Sequence, residues 1–76
     1  MISIIFADFN NADSFGRLRL NVKGSIDDIA YQKLMLHSGM KLRLTDGDLV
    51  ADGVVEYSSD ENIWVAKINW DNCFEV

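Results

Sequence analysis

Apolar and polar residues alternate over five separate stretches of the chain, and each alternation predicts a strand with one face turned to a core. The stretches are ISIIFADF (2 to 9), GRLRLNV (16 to 22), MKLRLT (40 to 45), DLVADGVVEY (48 to 57) and NIWVAKINW (62 to 70). Between the second and third lies SIDDIAYQKLMLHSG, where Ile26, Ile29, Ala30 and Leu34 share one helical face. Ser25 stands where it can cap this helix, with Asp28 three residues on completing a capping box, and the helix is expected to end before Gly39. The pattern predicts a mainly β fold: a small five-stranded antiparallel barrel, SH3-like in size, with one short helix between strands two and three. An OB-like barrel is the alternative topology.

The stretch LRLTDGDLV tests this reading, because two aspartates flanking Gly47 could be an acidic site or a tight turn. A two-residue turn on Asp46-Gly47 is favoured, since both residues tolerate positive φ. It pairs Leu44 with Leu49, Leu42 with Ala51, Lys41 with Asp52 and Arg43 with Val50. A one-residue slip would set apolar against charged positions throughout. The loop SSDE (58 to 61) then pairs Val55 with Trp64, Gly53 with Ala66, Ala51 with Ile68 and Leu49 with Trp70, aligning Lys41, Asp52 and Lys67 across three strands. Gly53, beside Ala51 and Ala66, marks a sharp bend or the close approach of another backbone. Trp64 and Trp70 are expected as core anchors, with Trp70 at the strand end as the one that could be exposed for binding.

Composition narrows the class. A 76-residue chain that is 49% hydrophobic, with four Phe, two Trp and two Tyr, is too apolar to remain disordered, and residues 1 to 76 are read as a single domain. The lone Cys73 allows no internal disulfide, which suits a reducing cytoplasm. The start MISIIFADFN lacks the basic residues of a secretory signal, and no stretch is long enough to span a membrane. Charge is segregated along the chain. Residues 17 to 43 hold six bases against two acids (+4), and residues 44 to 76 hold one base against eight acids (−7); Asp8 and Asp13 bring the sum to −5.

No pattern rises to a catalytic or cofactor signature. DFNNAD (8 to 13) begins like a calcium loop, but Ala12 stands where a ligand is needed, Asp13 where glycine is needed, and no glutamate closes the site. Asn and Asp bonding their own backbone explain the segment better. His37 and Cys73 are the only residues of their kinds and lie far apart in sequence, with no accompanying triad partners. His37 is read as a polar residue at a helix end. No catalytic residue, metal ligand or cofactor site is therefore expected. Arg17 and Arg19 share a strand face that Arg43 could extend, near Phe15 and Tyr31. Such a ridge could contact phosphates, although a net charge of −5 repels a polyanion.

The motifs DFNNAD, GRLRLN, Gly24-Ser25, DGVV and WVAKINWD together resemble a family of small bacterial proteins of unknown function, whose pattern is close to DFNNAD, GRxRLN, G[ST], DGVV and WVAxxDWD. The resemblance covers nearly the whole chain. Asn69 departs from the aspartate usual there, and the loop between strands three and four is short. It implies one complete domain and brings no activity, ligand or cofactor. The expected function is a non-enzymatic protein-interaction module of the bacterial cytoplasm: an adaptor, an immunity-type inhibitor of a basic partner, or a homodimer. Its candidate surface is Arg17, Arg19, Arg43, Val50, Val54, Ile63 and Val65, or an exposed strand edge. The alternative is binding of RNA or single-stranded nucleic acid through Arg17, Arg19 and Arg43.

Overall fold

The computed structural model describes residues 2 to 76. Six strands form one sheet: β1 (Ser3–Phe6), β2 (Leu18–Arg19), β3 (Lys41–Thr45), β4 (Leu49–Ser58), β5 (Ile63–Ile68) and β6 (Phe74–Glu75). A single helix, α1 (Lys23–Tyr31), lies between β2 and β3, where the apolar spacing predicts it. The spatial order is β1-β3-β4-β5-β2, and β6 adds to β4 beside Leu49 and Val50. The fold is mainly β and small; the sheet has six strands where five are predicted, and β1 and β2 are not hydrogen-bonded to each other, so it is not closed into a barrel. β1 runs parallel to β3, and every other pairing is antiparallel.

Strand faces follow the predicted alternation. Leu42, Leu44, Ala51, Val55, Ala66 and Ile68 are buried on one side of the sheet with Ile5, and Leu18 and Leu20 complete this core. Both hairpin registers, however, sit two residues away from the predicted ones. Leu44 faces Ala51, Arg43 faces Asp52 and Lys41 faces Val54, while Val54 in turn faces Lys67. The expected row Lys41-Asp52-Lys67 is therefore replaced by Lys41-Val54-Lys67. A shift of two conserves the pleat, which is why the core residues are right while the pairs are wrong.

The turns explain both shifts. Asp46 Oδ1 accepts hydrogen bonds from the N–H groups of Asp48 and Leu49, and the Asp46 N–H reaches the Leu49 carbonyl, so the reversal falls on Gly47-Asp48. Gly47 takes φ +99°, but Asp46 has no positive φ, which excludes the type I′ turn predicted on Asp46-Gly47, and Asp48 has none either, so the turn on Gly47-Asp48 is not type I′. In the second hairpin Ser58 still pairs with Ile63, and Asn62 closes the loop in the left-handed region at φ 58°.

The helix is not capped as predicted. It begins at Lys23 after Val22, which makes no side-chain cap. Ser25 and Asp28 turn instead to β1: the Ser25 hydroxyl donates to the Phe6 carbonyl at 2.6 Å, and the Phe6 N–H donates to Asp28 Oδ2 at 2.7 Å. Gln32 Nε2 donates to the Ile4 carbonyl at 2.8 Å. These are the groups that β1 turns away from β3, so helix side chains satisfy the outer sheet edge in place of another strand. The fit is close at Gly24, where a Cβ would lie 2.6 Å from the Phe6 ring.

Gly53 likewise has a packing reason. It sits on the core face between Leu42 and Ile68, and a Cβ there would stand 2.9 Å from Leu44 Cδ1 and 3.1 Å from Ile68 Cγ2. The strand beyond Ile68 does not continue to Trp70. Asn69 caps a short 3-10 turn (Trp70–Asn72) through a hydrogen bond to the Asp71 N–H, so Trp70 does not oppose Leu49. Its indole N–H donates to the Gly16 carbonyl at 2.8 Å, and its ring packs edge-on against Phe9.

Candidate functional site

DFNNAD folds as a structural loop. Asp8 Oδ1 accepts from the Asn10 N–H, and residues 11 to 13 run along the free edge of β2, with Arg19 N–H on the Asn11 carbonyl and Asp13 N–H on the Arg17 carbonyl. Asp13 organises the reversal that follows: Oδ1 accepts from the N–H groups of Phe15 and Arg17, and Oδ2 accepts from Arg17 Nε at 2.9 Å. Its side chain is only 4% exposed. Burial alone would raise this carboxyl; the hydrogen bonds from Arg17 and Phe15 together outweigh it and hold the pKa below the ordinary aspartate value. Both sheet edges are thus occupied, β1 by the helix and β2 by this loop, and the predicted exposed edge for strand addition is not offered by either.

The three candidate arginines are spent on carboxylates. Arg17 pairs with Asp13 and Glu56, Arg19 forks onto both Glu61 oxygens at 2.9 Å, and Arg43 pairs with Asp52 at 2.8 Å. Basic residues of the first half thereby meet acids of the second. Arg43 does not extend the Arg17-Arg19 row, because β4 and β5 separate their strands by roughly 14 Å at ~4.8 Å per strand. Arg17 also lies 5.1 Å over the ring of the exposed Phe15.

The four apolar candidates divide. Val65 points to the outer face yet is fully buried between its cross-strand neighbours Arg19 and Glu56, so it cannot contact a partner. Val54 stays open to solvent between Lys41 and Lys67. Val50 is half-buried beside Phe74. Ile63 belongs to a different place altogether, an apolar groove.

That groove has a volume of about 540 Å³ and runs between α1 and the start of β5. Ile26, Ile29 and Ala30 of α1, with Leu34 and Leu36 of the segment after it, form one wall. Leu20, Ile63 and Trp64 form the opposite wall, with the amides of Asn21 and Asn62 at the rim. Lys33 is the one ionised side chain lining it. The predicted helical face holds for Ile26, Ile29 and Ala30, while Leu34 falls after the helix end and joins them from the following segment; Ile29 and Leu34 pack against the core, Ile26 remains 54% exposed, and the helix's sole fully buried side chain is Ser25. The same segment carries Tyr31 and Met35 almost wholly in solvent, 88% and 86% exposed. Sequence alternation could not reveal the groove, since its walls come from a helix and a strand start some thirty residues apart.

The α1 terminus explains why Lys33 faces this groove. The Leu34 N–H bonds the Ile29 carbonyl and the Lys33 N–H bonds the Ala30 carbonyl, the two bonds of a Schellman motif. Lys33 occupies the position usually given to glycine, at φ 55°. Lys33 and Asn62 are the two non-glycine residues with positive φ among the described residues, and both line the groove.

His37 and Cys73, the pair weighed for catalysis, share no pocket among the described residues. Cys73 donates weakly to the Asn69 carbonyl, and burial pushes its thiol pKa up, against nucleophile formation. It lines a polar depression with Asp52, Asn69, Asp71, Asn72 and Phe74 that does not include His37. Among the described residues no three His, Cys, Asp or Glu side chains cluster to hold a metal ion. No helix among them is long and apolar enough to cross a membrane. No family model, curated protein or solved structure matches the chain, so the family resemblance rests on its motif residues alone. Of those, Asp8, Asp13 and Arg17 spend polar side-chain atoms on their own loop, and Asn11 ties the loop to Asn21 and Arg19.

Proposed function

We propose that this chain is a non-enzymatic protein-interaction module, and that the groove between α1 and β5 is its contact surface. The observation that carries this reading is a groove with apolar walls, where Ile26 is 54% exposed and Ile63 half-buried, continued by the exposed Tyr31 and Met35 on the adjoining segment. Contiguous apolar surface rimmed by polar groups marks interaction sites in small soluble folds. The scaffold beneath it is read as an SH3-like barrel opened along the β1/β2 seam, with an OB-type barrel as the alternative. Support for the rolled shape is the chain's passage, within residues 7 to 12, from the β1 side of the sheet to the free edge of β2.

The test compares proteins captured by the native chain and by Ile26→Asp, with light scattering to measure self-association. A partner retained by the native chain and by Val54→Asp, but lost with Ile26→Asp, is the expected result. A captured set indifferent to Ile26→Asp, or a monomer that captures nothing, removes the reading.

Nucleic-acid binding is a second reading, supported on the outer face by Lys41 and Lys67 flanking Val54 and by Phe15 beside Arg17. Arg17, Arg19 and Arg43 lend it less than their sequence placement implies, each being paired with a carboxylate. A salt titration with labelled oligonucleotides decides it: affinity absent at low salt, or unchanged by Lys41→Ala with Lys67→Ala, ends that reading.

A further inference from the structure

We infer that the occupant of the α1/β5 groove is an amphipathic helix of another protein that places a carboxylate against Lys33. This rests on the interaction-module reading and specifies its partner.

Charge is the first argument. Lys33 is the one ionised group lining an otherwise neutral, apolar groove; like Lys41 and Lys67 on the outer face it makes no ion pair among the described residues, but it alone of these three stands in the groove. An occupant that covers the groove takes this ammonium partly out of water, which is costly unless an acid accompanies it. The groove itself supplies no acid.

Backbone conformation is the second. Placing a lysine in the left-handed region at the helix end costs roughly 1–2 kcal/mol, which glycine would avoid. Strain of this kind gathers at functional sites, where the side chain does something glycine cannot.

The shape of the occupant follows from the hydrogen bonds nearby. Leu20 N–H already bonds the Trp64 carbonyl, and Arg19 is in ladder with Val65, so the sheet beside the groove has no free edge to pair an extended peptide. A helix brings its own backbone satisfied and offers apolar side chains at i, i+3, i+4 and i+7. A second copy of this chain fits poorly. In a two-fold contact the patch meets itself, setting each Lys33 against a surface without acids.

The experiment uses the full ¹⁵N-labelled chain and two synthetic helical peptides with the same leucine face, one flanked by glutamates and one by lysines. The chain's net charge of −5 attracts the lysine peptide at long range, so a preference for the glutamate peptide is a demanding outcome. The expected result is amide shifts at Ile29, Lys33, Leu36 and Ile63, at least about 5-fold tighter binding of the glutamate peptide, and reversal of that order in Lys33→Glu. Groove-localised shifts with equal affinities, or tighter binding of the lysine peptide, overturn the carboxylate partner while leaving the interaction module standing. No shift from either peptide at about 1 mM overturns the helical occupant. A native dimer that Ile26→Asp converts to monomer overturns it in favour of self-association. Failure of both peptides together with a captured set indifferent to Ile26→Asp removes the module as well.

Discussion

The Ser25 hydroxyl donates to the carbonyl of Phe6 at 2.6 Å, tying a fully buried helix side chain to the outer edge of a strand nineteen residues earlier. A free edge on β1 would expose Ile4 and Phe6 backbone groups as a template for another chain's strand. Ser25 and Asp28 occupy the Phe6 carbonyl and N–H, and Gln32 the Ile4 carbonyl, so the edge is covered without a further strand.

Ser25→Ala is therefore expected to cost about 1–3 kcal/mol, because it leaves the part-buried Phe6 carbonyl without its donor. Asp28→Ala should have a smaller effect on global stability and a local one on Phe6, whose N–H loses its acceptor. Denaturant unfolding measures the first effect and amide exchange at Phe6 the second. Unchanged Phe6 exchange in Asp28→Ala would mean the edge is sealed by something else.

Gly53→Ala should destabilise by about 1–3 kcal/mol, since the new methyl stands 2.9 Å from Leu44 Cδ1 in a packed core. The same substitution should cost less in a Leu44→Ala background, where the collision partner is gone. Thermal unfolding of the four proteins in that cycle gives the coupling, and additive costs would show that backbone conformation, not crowding, keeps glycine there.

What the sequence made legible divides along the pleat. Leu42, Leu44, Ala51, Val55 and Ile68 are readable as core because alternation fixes the face, and both register differences are shifts of two, which leave every face in place. The pairs were not readable, because they depend on side chains bonding turn backbone: Asp46 moves one reversal to Gly47-Asp48, and Asn62 closes the other. Ser25 and Asp28 carry a capping-box spacing, yet their hydrogen-bonding partner is distant in sequence, so local pattern assigned them the wrong task. Val65 reads as exposed from its parity and is buried by the long side chains across the ladder from it. β6 offers only two residues and no alternation to detect. The groove, which carries the functional reading, was half visible as the Ile26-Ile29-Ala30-Leu34 face, while its Ile63-Trp64 wall needed the fold.

Lys33→Gly is expected to raise stability by roughly 0.5–1 kcal/mol, the left-handed strain relieved being partly offset by the greater unfolded-state freedom of glycine. A matching loss of partner binding in the same variant would connect the strain to the groove. Lys33→Ala, which keeps the strain and drops the ammonium, separates the two contributions. Denaturation midpoints and binding isotherms on these two variants are sufficient, and a Lys33→Gly protein that is less stable than the native chain would contradict the strain argument.

Acid should destabilise the fold through a small set of carboxylates. In the folded chain the pKa values of Asp13, Asp46, Asp52 and Glu61 all lie below their ordinary values. A depressed folded pKa stabilises the fold fully above the unfolded value, near pH 4, and the contribution is lost as pH falls through the folded value. Stability should thus be flat through neutral pH on account of these groups and fall below about pH 4. Asp13 dominates the expectation because its side chain is only 4% exposed and three of the four hydrogen bonds it accepts come from Arg17 and Phe15 around one reversal: two backbone N–H groups on Oδ1 and the Arg17 guanidinium on Oδ2, while the Gly16 N–H adds to its carbonyl. In Asp13→Asn the amide can still accept at Oδ1 but sets an N–H against Arg17 Nε, so the variant should lose about 1–3 kcal/mol at pH 7. It should also lose less than the native chain on acidification, since no charge remains there to titrate. Urea titrations of both proteins between pH 7 and pH 2.5 read the two slopes, and parallel acid limbs would show that the reversal at Asp13 is not where the acid sensitivity resides.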